Sequence, residues 1–192
     1  NEVFVTRPDG TLLSTSVTQN IGKVEMRGVE LEAQFAVTEY FNLSATFDWN
    51  DNEIKSYIYL PGGVKIQNNP DVSGKRLNGT PELSWTLSPA FRAPLTDDFD
   101  WFARVDYRGR SKIYVDPTNH AWIAPVNLFN VRAGISSESL RIEAFVNNVT
   151  DDDNPTEGTR ANDVFFSNSV LNEIRLGLPA KRTFGVSFSY EF

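Results

Sequence analysis

The sequence contains no cysteine, one histidine and one methionine. Without cysteine there is no disulfide and no cysteine metal site, and the compartment cannot be argued from bridges. A single histidine, His120, supports neither a nucleophile triad nor a metal site. Basic residues are in the minority, 18 Lys plus Arg against 25 Asp plus Glu, for a net charge of −7. That balance argues against nucleic acid as a partner. No apolar run approaches the roughly 18 residues that a membrane-spanning helix needs. Barrel strands escape such a search, because about half their residues are polar. No signal-peptide pattern opens the sequence, and residue 1 is Asn rather than Met. Either a precursor has been processed, or these 192 residues are a piece of something longer.

What is plentiful is aromatic: 12% of residues, with 14 Phe and 4 Trp, in a chain whose mean hydropathy is only −0.33. Alternation reconciles the two. In Thr183–Phe192 every second residue is apolar: Phe184, Val186, Phe188, Tyr190 and Phe192. Thr183, Gly185, Ser187, Ser189 and Glu191 fall between them. Side chains of a strand point alternately to opposite faces, so this segment has one apolar and one polar face. It stops on the apolar face, as a strand can whose outer side touches lipid.

The same pattern recurs upstream. Val29, Leu31, Ala33 and Phe35 alternate with Gly28, Glu30, Glu32 and Gln34, and Leu43, Ala45, Phe47 and Trp49 with Ser44, Thr46 and Asp48. Further apolar sets are Leu83, Trp85, Leu87 and Phe91; Trp101, Ala103, Val105 and Tyr107; Phe129, Val131, Ala133 and Ile135; and Leu140, Ile142, Ala144 and Val146. Connections alternate in length: short near Thr38, Pro94 and Ser137, long over 51–79, 111–125 and 149–181. An up-and-down membrane barrel has short periplasmic turns and long outer loops, whereas a soluble sandwich has turns of similar length. The expectation is about eight antiparallel strands, over 1–7, 13–35, 41–50, 81–92, 99–110, 127–136, 139–149 and 182–192, the first of them partial. Phe192 then lies at the periplasmic rim. Helical periodicity is weak throughout; 156–175 has room for a short helical turn.

Four passages resemble the C-terminal part of the barrel of TonB-dependent outer-membrane receptors. They are Asn20-Ile21-Gly22-Lys23 with Arg27-Gly28-Val29-Glu30-Leu31-Glu32; Gly74-Lys75-Arg76-Leu77 with Pro81; Asn127–Arg132 with Glu143–Asp151; and Pro179–Phe192. The resemblance spans about residues 20–192 and implies an all-β, transmembrane, antiparallel up-and-down β-barrel. Family barrels have roughly 22 strands around a plugged lumen. Residues 1–192 are therefore expected to form one C-terminal portion of the barrel, with the plug domain and N-terminal strands absent. It further implies a bacterial outer-membrane location and active uptake of a scarce, bulky ligand: an iron–siderophore, a cobalamin or a glycan. The implied partners are outer-membrane lipid, the protein's own plug, the TonB complex and the barrel-assembly machinery. No cofactor, metal or catalytic role is implied. Alternatives are a complete eight-strand barrel with a structural or adhesive role, and a soluble β-sandwich binding module.

Candidate site residues follow from position. Arg92, Arg104, Arg108, Arg110, Arg132 and Arg141 fall on the inward face. They form a basic patch for an anionic ligand, or they pair with Asp106, Glu143 and carboxylates of the plug. Of these, Arg104, Arg108 and Arg110 are taken as candidate ligand contacts, with Tyr114, His120 and Trp122 in a long loop. Aromatic residues there also fit a membrane interface. Outward Trp49, Trp85, Trp101, Tyr107 and Tyr190 suit interfacial girdles. Asp151-Asp152-Asp153-Asn154 reads as an exposed acidic loop or a calcium ligand set, but Thr156 stands where an EF-hand loop needs glycine. Tyr190 and Phe192 resemble the terminal aromatic signal that barrel-assembly machinery reads.

Overall fold

A computed structural model describes residues 2–6, 8–10, 12–16, 22–60, 62–163 and 169–192. Its centre is one open, antiparallel sheet of seven strands. In chain order these are β3 (Lys23–Ala36), β4 (Phe41–Ser56), β5 (Leu83–Pro94), β6 (Asp100–Arg110), β9 (Val126–Ser136), β10 (Leu140–Asn147) and β13 (Thr183–Tyr190). Each pairs with the strand before and after it, so β3 and β13 form the two edges. Three two-stranded hairpins stand apart: β1 (Glu2–Thr6) with β2 (Leu12–Ser16), β7 (Ile113–Tyr114) with β8 (Trp122–Ile123), and β11 (Glu157–Asp163) with β12 (Ser169–Gly177). The one helix among the described residues, α1 (Gly62–Gln67), lies in the first long connection.

The register carries the alternation across the whole sheet. Phe35 faces Leu43, Leu43 faces Pro89, and Ala45 faces both Ala33 and Leu87. Leu87 faces Tyr107, Tyr107 faces Phe129, and Ala133 faces Ala144, which faces Val186. Directly opposed residues share a face, so these pairs form one apolar surface seven strands wide. It is not covered by a second layer: Phe184, Val186 and Phe188 are 81%, 73% and 68% exposed. A sandwich would bury this face between two sheets.

Aromatic residues bound the surface above and below. At the short-turn end, Phe91 stacks on Trp101 with ring centroids 4.6 Å apart, and Tyr190 meets Phe192 edge-on at 5.2 Å. At the other end, Tyr107 lies 6.5 Å from Trp85 and 6.1 Å from Phe129. Between the belts lie mostly Ala, Val and Leu. Phe41 and Trp49, one in each belt on β4, are about 26 Å apart along the strand at about 3.3 Å per residue. A tilt of about 40° brings that to roughly 20 Å of height, close to the apolar band of a membrane barrel.

Several expectations are corrected by the backbone. Of the expected first strand, 1–7, Glu2–Thr6 pair with Leu12–Ser16 in their own hairpin, outside the main sheet of seven strands. The expected single strand 13–35 is two, β2 and β3; residues 17–21, including Asn20 and Ile21 of the family-like passage, lie outside the described residues. β4 continues to Ser56, because Asp51–Ser56 keep pairing with β3. The stretch 156–175 holds the strands β11 and β12 rather than a helical turn. Alternation in the longer segments is legible in the sequence; which segment each strand pairs with is set by the fold.

Candidate functional site: the inner wall and the outer connections

The polar face of the sheet is a wall of charges, most of them matched. Arg92 reaches Asp100 at 2.8 Å, and Arg141 reaches Glu143 at 2.7 Å while lying 3.9 Å over the Phe102 ring. Asp106 is shared: Arg104 approaches at 2.7 Å, Arg132 at 3.5 Å, and the Ser88 hydroxyl donates to it at 2.8 Å. Of the two readings of these arginines, pairing with Asp106 and Glu143 is therefore present for Arg104, Arg132 and Arg141. Arg110 is used differently. Its guanidinium donates to the carbonyls of Ser111 at 2.9 Å, Ala124 at 3.3 Å, Pro155 at 3.3 Å and Thr156 at 2.9 Å.

Arg108 stands apart, its side chain making no ion pair or hydrogen bond among the described residues. It borders a recess of about 360 Å³ with Thr46, Thr86, Leu128 and Thr156. A second recess of about 250 Å³ adjoins it, lined by Leu128, Asn130, Asn147 and Lys181. Of the three candidate arginines, Arg104 is neutralised and Arg110 is committed to backbone, and among the described residues nothing matches the Arg108 cation.

Above the wall, the connection after β6 folds into the β7–β8 hairpin. Tyr114 and Trp122 are directly opposed there, with Lys112 Nζ 5.2 Å from the first ring and 5.9 Å from the second. Trp122 is 61% exposed. The other side of the hairpin buries Ile113, Val115 and Ile123. So the structure brings Tyr114 and Trp122 together and adds Lys112, which sequence reasoning did not single out. His120 is not part of this group: its Nδ1 lies 3.1 Å from the Thr118 carbonyl, at the turn. No hydrogen bond or cation–π contact joins these aromatic residues to Arg104, Arg108 or Arg110 among the described residues.

The acidic run is engaged by protein donors. Asp151 accepts the Arg182 amide at 2.9 Å, Asp152 accepts the amides of Asn127 at 3.2 Å and Asn154 at 2.9 Å, and Asp153 lies 3.4 Å from Lys181. The Arg182 amide holds the Asp151 carboxyl below the usual carboxylate range, against a smaller opposing effect of burial and with help from the Lys181 and Arg182 charges. Asp116, Asn119 and Arg160 also bridge between outer connections without having been anticipated. Asp116-Pro117-Thr118-Asn119 is a readable turn signal; nothing local marks Arg160 as its partner.

A family model described as TonB dependent receptor-like, beta-barrel, matches residues 1–149. Solved structures share the fold. The ferric yersiniabactin uptake receptor FyuA from Yersinia pestis matches 90% of this chain and 24% of its own, at 18% identity and a TM-score of 0.70. BauA, the ferric preacinetobactin receptor from Acinetobacter baumannii, matches 100% of this chain and 26% of its own, at 20% identity and a TM-score of 0.66. The siderophore receptor PiuA from Acinetobacter baumannii matches 98% and 24%, at 15% identity and a TM-score of 0.64. The chain thus spans about a quarter of the length of these structures.

Proposed function

Because this chain belongs to the TonB-dependent receptor family, matching its β-barrel, we propose that it is the C-terminal wall of an outer-membrane receptor that takes up a ferric siderophore. The observation that carries the reading is the face separation of the seven-stranded sheet. An uncovered apolar surface between two aromatic belts lies outward, and a charged wall lies inward. Barrels of this family lie in the outer membrane of Gram-negative bacteria, and lipid is the solvent such a surface requires. The family is one of transport receptors rather than enzymes.

In this reading the two open edges, β3 and β13, pair with strands contributed by the rest of the protein, and a plug fills the lumen. Coverage of only about a quarter of the similar structures supports this. TonB engages the part of the protein outside this chain. The siderophore class is favoured over cobalamin or glycan by the names of FyuA, BauA and PiuA. Arg108 would meet an anionic group of the cargo, and Tyr114 and Trp122 a planar or apolar part of it. Arg104, Arg110 and His120 would then act as supports rather than primary contacts. Tyr190 and Phe192 offer the barrel-assembly machinery an aromatic pair at the short-turn rim.

The test is uptake of ⁵⁵Fe by cells carrying or lacking the whole gene, with a panel of ferric siderophores, alongside labelled cobalamin and oligosaccharides. Gene-dependent, energy-dependent uptake of a ferric chelate is expected. Uptake of cobalamin or a glycan alone would overturn the cargo assignment and keep the receptor.

A further inference from the structure

Three long connections leave the upper rim: 57–82 between β4 and β5, 111–125 between β6 and β9, and 148–182 between β10 and β13. The middle one is hydrogen-bonded to both of the others. Toward 57–82, the Asn119 carboxamide accepts the Arg76 amide at 2.7 Å and donates to the Arg76 carbonyl at 2.9 Å. The Gly79 amide donates to the Tyr114 carbonyl at 2.9 Å. Toward 148–182, Arg160 Nε on β11 donates to the Asp116 carboxylate at 2.9 Å.

Two of these links, Asn119 to Arg76 and Asp116 to Arg160, start from one turn. Asp116 Oδ1 accepts the Thr118 amide at 2.8 Å and the Thr118 hydroxyl as well, and the Asn119 amide returns to the Asp116 carbonyl at 3.2 Å. Asn119 has φ +59°, in the left-handed region that Asn tolerates better than most residues. Asp116 is 2% exposed and Thr118 fully buried. A carboxylate so placed is tolerable only when paired and hydrogen-bonded. Arg160 supplies the charge and Thr118 the remaining donors. Removing the carboxylate therefore removes the pair with β11 and the turn that aims Asn119 at Arg76.

We propose that Asp116 is a positioning residue that joins the three outer connections into one cooperative body. Tyr114 and Trp122 are presented by this body, not by a free hairpin. The inference rests on hydrogen bonds between connections and is independent of what the cargo is.

Hydrogen–deuterium exchange on the full-length receptor, reconstituted in lipid nanodiscs without cargo, tests it through three variants. Asn119→Gly keeps the positive φ and deletes only the carboxamide. It should speed exchange at 62–79 by about tenfold and leave 157–163 unchanged. Asp116→Asn retains an acceptor for Thr118 but no charge for Arg160. It should speed exchange at 157–163 by about tenfold or more, the effect of a lost charged hydrogen bond, and spare 62–79. Asp116→Ala should release both segments, with 126–147 unchanged as the sign of an intact sheet. Exchange at 62–79 is a readout that a local role for Asp116 would not move. If Asp116→Ala speeds exchange only within 111–125, or Asn119→Gly leaves 62–79 at its wild-type rate, the proposal fails. The two milder variants decide the matter even if Asp116→Ala does not assemble.

Discussion

At the scale of single residues, the inner wall separates charges that hold the sheet from a charge that is free for something else. Asp106 is held by two arginines and a serine, and truncating it strands both cations on a half-buried wall. Asp106→Ala should therefore lower the stability of the whole receptor by about 1–3 kcal/mol. Arg108→Ala loses no partner among the described residues and should shift it by no more than about 0.5 kcal/mol. Urea titrations of the receptor in detergent compare the two directly. If cargo binding follows the opposite order, strong for Arg108 and weak for Asp106, the assignment of Arg108 stands. At the outer rim, the Arg182 amide lowers the Asp151 pKa. A depressed carboxylate contributes stability above its ordinary pKa, and the contribution is lost as pH falls through the lowered value. A spin label at Lys181 should thus stay immobilised through the ordinary carboxylate range and become mobile only in stronger acid. Asp151→Ala should be mobile at every pH.

At the scale of elements, strands are matched by more than hydrophobicity. Three glycines stand directly opposite aromatic residues: Gly109 opposite Trp85, Gly134 opposite Phe102, and Gly185 opposite Phe145. In each case a ring lies over the space that a side chain would occupy; a Cβ on Gly109 would sit 2.4 Å from the Trp85 ring. Covering a strand glycine with an aromatic ring shields backbone and pins register. Gly109→Val should displace the Trp85 indole from its belt, visible as a change in tryptophan emission, and cost about 1–3 kcal/mol through overpacking. The alternation itself makes a sharper prediction. Arginine at Ala133, midway between the belts on the outward face, should cost about 2–4 kcal/mol in refolding into vesicles. Arginine at Ser44, on the inward face, should be nearly neutral. Equal costs at both positions would argue against a lipid-facing surface.

At the scale of the whole molecule, the sheet is open, and its edges carry unpaired backbone groups on β3 and β13. Open edges beside an exposed apolar face favour association. Residues 1–192 expressed alone should require detergent and sediment as aggregates without it. A stable monomer in plain buffer would contradict the membrane reading. The same scale sets how the outer connections behave. Long loops usually move independently of one another, yet here 57–82, 111–125 and 148–182 share hydrogen bonds through a buried carboxylate.

Residue order alone determined the strands of the sheet from Val29 onward, their two faces, the alternation of short and long connections, and the family. Each of these depends on neighbours two to ten residues apart, a range over which a period of two can be read directly. Which inward arginines were neutralised was only half legible: Arg104 and Asp106 are two apart on one strand, but Arg132 reaches Asp106 from β9. Only tertiary structure showed that Glu2–Thr6 leaves the sheet for its own hairpin, and that Glu157–Asp163 and Ser169–Gly177 are strands. It alone set Arg108 apart from its neighbours, and it alone showed Asp116, Asn119, Arg76 and Arg160 joining three connections. The last of these turns on partners some forty residues away. Sequence spacing carries no record of such distances, because the chain between them is free to close in many ways until the sheet fixes its ends.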